Sequence, residues 1–157
     1  MIGPILISRR SFARSSVALL TAASERKEAI ANDLFVAVNR ERRLYGANQL
    51  RWNAVLAKEA RAQSFSMWER GFFSHEDPLR GDLATRLRRS GVIWHDCAEN
   101  IFREQGYHHP VKAAVNGWMS SPGHRRNLLN AKFTQTGMGV MIGPFDEYFM
   151  TQIFVAP

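Results

Sequence analysis

Three residues carry the chemistry of this chain. They are His75 in Phe72-Phe73-Ser74-His75-Glu76-Asp77, Glu99 in Ala98-Glu99-Asn100-Ile101, and His124 in Trp118-Met119-Ser120-Ser121-Pro122-Gly123-His124-Arg125-Arg126-Asn127. Steps of 24 and 25 residues separate them, so local structure cannot bring them together and only the fold can. Two imidazoles and a carboxylate form a useful set. They can bind a divalent metal, zinc or magnesium, or they can move a proton.

Each residue also has a plainer reading. His75 follows the expected end of a helix, where a loop histidine is ordinarily exposed. Glu99 sits among Cys97, Ala98 and Ile101, and a carboxylate in apolar company needs a partner. It can serve as a structural anion, as the group that orients a histidine, or as a metal ligand. His124 follows the turn Ser121-Pro122-Gly123, and a helix starting there would place its positive dipole end near the ring and lower the ring's pKa. His95, His108 and His109 read as surface residues or caps. Cys97 reads as a small hydrophobe, and as the single cysteine it excludes an internal disulfide.

The elements that must position the three residues can be traced from periodicity. Between Glu25 and Leu44, apolar residues recur at Ile30, Leu34, Ala37, Val38 and Leu44, the stripe of an amphipathic helix. Asn53 is placed to cap a second helix running through Leu56, Ala60, Gln63 and Met67 to Gly71. Asp82 caps a short third helix with Leu83 and Leu87 inward. His109-Pro110 opens a fourth, where Val111, Ala114, Val115, Trp118 and Met119 form a core stripe. Thr136 to Ile142 and Glu147 to Val155 have strand composition and are joined by Gly143-Pro144-Phe145-Asp146, which predicts a hairpin. A third strand is expected from Val92-Ile93-Trp94 or around Ile101. Helices first and a hairpin last describe an α+β domain.

The phrases around His75, Glu99 and His124, in that order, resemble the CAP superfamily of cysteine-rich secretory, antigen 5 and pathogenesis-related proteins, its short bacterial branch in particular. Asn39-Arg40-Glu41-Arg42, Leu50-Arg51-Trp52-Asn53, Phe133-Thr134-Gln135-Thr136-Gly137-Met138-Gly139-Val140 and Tyr148-Phe149-Met150-Thr151-Gln152-Ile153-Phe154 agree with it. The resemblance covers roughly Ala29 to the C-terminus. It implies an α-β-α sandwich around a small antiparallel sheet, and a cavity with two histidines and usually two glutamates. His75, His124 and Glu99 match three of those positions. The second glutamate is missing: Trp118-Met119 is followed by Ser120-Ser121, which should weaken metal affinity unless Glu76 or Asp77 compensates.

At 157 residues the chain has room for one domain, expected over 25–157. No apolar run reaches the roughly 20 residues of a membrane-spanning helix. The formal charge is +7, but Arg9, Arg10 and Arg14 fall in an acid-free start. The other basic clusters, Arg86-Leu87-Arg88-Arg89 and Arg125-Arg126, lack interleaved aromatics and read as solvated faces rather than a nucleic-acid groove. Residues 1–24, with Ser8-Arg9-Arg10-Ser11-Phe12 and the apolar Val17-Ala18-Leu19-Leu20, are expected to be a twin-arginine export signal or a disordered leader. That implies a periplasmic or secreted protein, acting as a monomer on an envelope component, a lipid or a protein partner. Two functional classes follow: a binding module using the His75/Glu99/His124 cavity, or a hydrolase using it. The hydrolase would employ a metal-bound water, or Ser74, Ser120 or Ser121 paired with His124.

Overall fold

Helix α1 spans Arg9–Leu44 and so starts well before Glu25. Residues 9–24 contain no glycine or proline, and nothing in their local chemistry interrupts a helix. The structure is a computed structural model that describes residues 9–157, with side chains from Leu20 onward. The twin-arginine phrase falls outside those described side chains. Leu34 and Val38 are fully buried on the expected stripe, with Ile30 and Ala37 packed beside them. Leu44, expected on the same stripe, is exposed at the helix end.

Helix α2 spans Ala54–Arg70, and Asn53 caps it by accepting from the Val55 and Leu56 amides. Gly71 ends it in the left-handed region at φ 68°, where a Cβ would be strained. Helix α3 spans Leu83–Arg89 with Asp82 accepting from the Thr85 amide. Helix α4 spans Pro110–Ser120 and buries Ala114, Val115 and Trp118. Helix α5, Pro122–Leu129, follows at once.

Strand β1 is the short Arg51–Trp52, β2 is Asp96–Gln105, β3 is Gln135–Gly143 and β4 is Glu147–Ala156. The predicted hairpin is β3–β4. The third strand forms around Ile101 rather than over Val92-Ile93-Trp94. The sheet order is β1-β3-β4-β2. It is antiparallel except for β1, which pairs parallel to β3 through Arg51 with Gln135 and Trp52 with Thr136. This parallel edge was not expected.

Alternation along the strands divides the core into two layers. Met138, Val140, Met150 and Phe154 face α1 and α4 together with Leu34, Val38 and Trp118. Ile153, Val155, Ile101 and Phe149 face the other way, toward α2 and α3. The result is the α-β-α sandwich that the resemblance implies. On the α2 side, Gly137 and Gly139 replace side chains with bare backbone. A Cβ at Gly137 would collide with the backbone of Leu56 and Ala57, and one at Gly139 with that of Ala60 and Arg61. Ser64 fastens the same interface, donating to the Gly139 carbonyl at 3.1 Å or pairing with Thr151 Oγ1 at 2.9 Å. This contact carries α2, and the His75 loop after it, tightly onto the sheet.

Candidate functional site

The three predicted residues converge at the free edge of the sheet, on strand β2. Glu99 points from β2 toward the α2 layer and its side chain is almost wholly buried. His75, in the loop after α2, brings Nδ1 to 3.0 Å from Glu99 Oε1. His124, in the first turn of α5, has its ring centre 6.3 Å from that of His75, with the planes tilted by 60°.

Each arm is built from neighbouring chemistry. Gln63 on α2 donates to the Ser74 carbonyl at 2.9 Å. Buried Asp77 accepts from the Leu79 and Arg80 amides at 2.9 and 3.0 Å, and Asp77 and Gly81 exchange backbone hydrogen bonds. The His75 loop is thus pinned at both ends. On the other arm Asn100 Nδ2 donates to the His124 carbonyl at 3.0 Å, and Asn127 Nδ2 donates to Asn100 Oδ1 at 3.0 Å. These two asparagines lock α5 to the edge strand. Buried Arg42 holds the other end of α5, donating to the Asn48, Leu128, Asn130 and Phe133 carbonyls.

Arg86 is the site residue that sequence reasoning missed. Expected on a solvated face, it is 2% exposed. Its Nη2 donates to Glu99 Oε2 at 2.9 Å and to the His75 carbonyl at 3.1 Å. The available signal was its spacing: three residues after Leu83 and one before Leu87, it falls beside the inward stripe of α3. Arg125 also departs from the solvated reading, since its guanidinium stacks over the Tyr45 ring at 4.5 Å.

Glu99 is therefore occupied on both oxygens, by His75 and by Arg86. Its place between the two leaves it positioned to orient the His75 ring. When the ring is neutral, Nδ1–H donates to the carboxylate and Nε2 keeps its lone pair. Asp77 Oδ1 accepts from two backbone amides and Glu76 is exposed. Among the described residues no three of His, Cys, Asp and Glu are arranged to hold a metal ion. With Zn–N bonds of about 2.0–2.1 Å, a shared ion lies about 3 Å from each ring centre, so rings 6.3 Å apart stand at the outer limit of that span. The His75 side chain is half exposed.

The His124 imidazole is held below its usual range, by burial first and by the neighbouring His75 second. The direction agrees with expectation, with burial and the second ring as its causes. No hydrogen bond joins His124 to Ser74, Ser120 or Ser121 among the described residues; the Ser74 hydroxyl accepts from the Glu76 amide instead. Cys97 is half-buried and burial pushes its thiol up, which disfavours the thiolate form. Trp94 packs against the α3 cluster, and Tyr107 is exposed. His108 and His109 are also exposed and border a separate hollow of about 950 Å³ between α1 and α4.

The fold recurs in known proteins. The Bacillus subtilis protein YkwD is 36% identical over 101 residues, covering 64% of this chain and 38% of YkwD. The B. subtilis membrane protein YlbC is 36% identical over 112 residues, covering 71% of this chain and 30% of YlbC. The chain thus spans less than half the length of these curated relatives. An extracellular protein containing an SCP domain from Bacillus anthracis superposes with a TM-score of 0.76 at 29% identity, over 99% of this chain and 45% of that one. A cysteine-rich secretory protein from Staphylococcus aureus gives 0.68 at 26%, over 85% and 40%. An outer surface protein from Borrelia burgdorferi gives 0.73 at 16%, over 81% and 92%, a likeness of fold alone. Residues 35–154 match the profile of the cysteine-rich secretory protein family, CAP, and the chain belongs to that family.

Proposed function

We propose that this CAP domain is an extracytoplasmic binding module at the cell envelope, and that His75 and His124 together hold a divalent metal. The single observation that carries the reading is the meeting of two imidazoles at the sheet edge, one oriented by a carboxylate and the other kept neutral by burial. Neutral imidazole is the ligating form, and imidazole suits zinc, whereas magnesium prefers oxygen donors. With Glu99 engaged by Arg86, zinc is the better match. Two protein ligands leave the remaining positions to water or to a polar group of a bound partner, which suits capture rather than permanent structural closure.

The extracytoplasmic setting is supported by the arginine pair at Arg9-Arg10 and by the extracellular B. anthracis relative. No helix among the described residues is long and apolar enough to cross a membrane. The partner is an envelope polymer, lipid or protein that presents a donor atom to the site.

Thermal denaturation with and without zinc tests the proposal. Zinc is expected to raise the melting temperature of the wild type, and His75→Ala and His124→Ala are each expected to abolish the rise. Absence of a zinc effect, or its persistence in either variant, would overturn the metal reading. Zinc-dependent turnover of an ester, peptide or glycan would instead favour the hydrolase.

A further inference from the structure

Arg86 also forms part of the wall of a second hollow, of about 460 Å³, whose other polar lining is Lys58, Glu59, Arg80, Arg89 and Ser90. That volume lies within the roughly 300–1,000 Å³ of small-molecule sites. Four cationic side chains face it against one carboxylate, and the carboxylate is already taken. Glu59 is paired with Arg80 through Oε2 and accepts from Ser90 Oγ at 2.6 Å through Oε1. Arg89 donates only to the Arg80 carbonyl, at 3.2 Å. Neither Arg89 nor Lys58 has a carboxylate partner among the described residues.

The buried wall carries unused donors. Arg86 is 2% exposed and uses Nη2 for Glu99 and the His75 carbonyl, while its Nε and Nη1 are buried without a partner. Arg80 Nη1 is buried without a hydrogen bond as well, the Asp77 carboxylate standing 3.9 Å away. A buried donor left unpaired costs about 1–3 kcal/mol, and more when charged. Guanidinium forks match phosphate oxygens, and an acceptor with several charged oxygens suits a hollow lined by four cations. Val55 supplies an apolar surface beside them, and the hollow is larger than a phosphate alone needs.

We infer that this hollow is a binding site for a phosphate ester, with the phosphate held by Lys58 and Arg89 at the exposed rim and by the half-buried Arg80, and with the buried Arg86 charge behind them. The inference stands apart from the metal reading, since none of these contacts uses an imidazole. Two sources share the chemistry: a soluble phosphomonoester and the phosphodiester of an envelope polymer.

The test is calorimetric titration at constant ionic strength with glycerol 1-phosphate, with a short poly(glycerol phosphate), and with glycerol as the uncharged control. At least one phosphate ligand is expected to bind and glycerol is not. The Lys58→Ala/Arg89→Ala double variant, altered only at exposed side chains, should keep its melting temperature and zinc response. Its affinity for the phosphate ligand should fall by about tenfold or more, in line with two lost charge-assisted contacts. His75→Ala should bind the phosphate ligand as the wild type does, which separates this result from any failure at the imidazole pair. Binding of the monoester alone assigns a soluble ligand, and binding of the polymer assigns an envelope one. Absence of binding by both, or undiminished binding in the double variant, would overturn the inference.

Discussion

At the scale of single residues, the site is a chain of charges: Arg86 holds Glu99, and Glu99 holds His75. Glu99→Gln preserves shape but leaves the Arg86 charge buried and uncompensated, which should cost about 3–5 kcal/mol of stability. Zinc affinity should also fall by about 10–100-fold through the loss of the orienting carboxylate. Chemical denaturation and zinc titration of the same variant read the two effects, and unchanged zinc affinity would remove Glu99 from any positioning role. His124 makes a separate prediction about pH. Its folded pKa lies below the unfolded 6.5, so the unfolded chain binds the extra proton, and stability must rise with pH through the window just below 6.5. The metal-free protein should melt lower at about pH 5.5 than at about pH 7.5, and His124→Asn should flatten that difference. An equal slope in the variant would contradict the assignment. The histidines and Glu99 were legible because each sits in a distinctive phrase. Arg86 was hidden because an arginine among arginines reads as surface, and only its place beside Leu83 and Leu87 on a short helix hinted at burial.

At the scale of elements, the boundaries that depend on capping chemistry were readable. Asn53, Gly71, Asp82 and Pro110 stand where the structure uses them. The start of α1 was not readable, since no breaker marks it. Nor was β1, because two residues carry no period and their pairing with β3 is set by tertiary contact. The choice of β2 around Ile101 rather than Val92-Ile93-Trp94 follows from ten residues of continuous pairing with β4. The seating of α2 on β3 makes the third prediction. Gly137→Ala or Gly139→Ala forces a methyl into helix backbone and should destabilise by about 3 kcal/mol or more, at the upper end of overpacking costs. Urea denaturation measures it, and a loss under about 1 kcal/mol would mean that α2 can lift away freely.

At the scale of the molecule, the sandwich exists to bring an edge strand, a loop after α2 and the start of α5 to one place. Arg42 ties α1 to the end of α5 and the loop after it through the Leu128, Asn130 and Phe133 carbonyls, and to its own following loop through that of Asn48, so Arg42→Met should cost about 3 kcal/mol or more by orphaning buried acceptors. A melting temperature within a degree or two of the wild type would contradict that anchoring role. Order of motifs along the chain made the family and the sandwich legible before any coordinates. Pairwise distances across it, and the burial of Arg86, belong to the folded state alone. The central claim is that two distant imidazoles share one ligand, and nitrogen-15 NMR of the histidine rings reads it directly. On zinc addition, one ring nitrogen of His75 and one of His124 should shift together, at the same metal equivalence, while His95, His108 and His109 stay put. A shift confined to one of the pair, or spread over the exposed histidines, would contradict it.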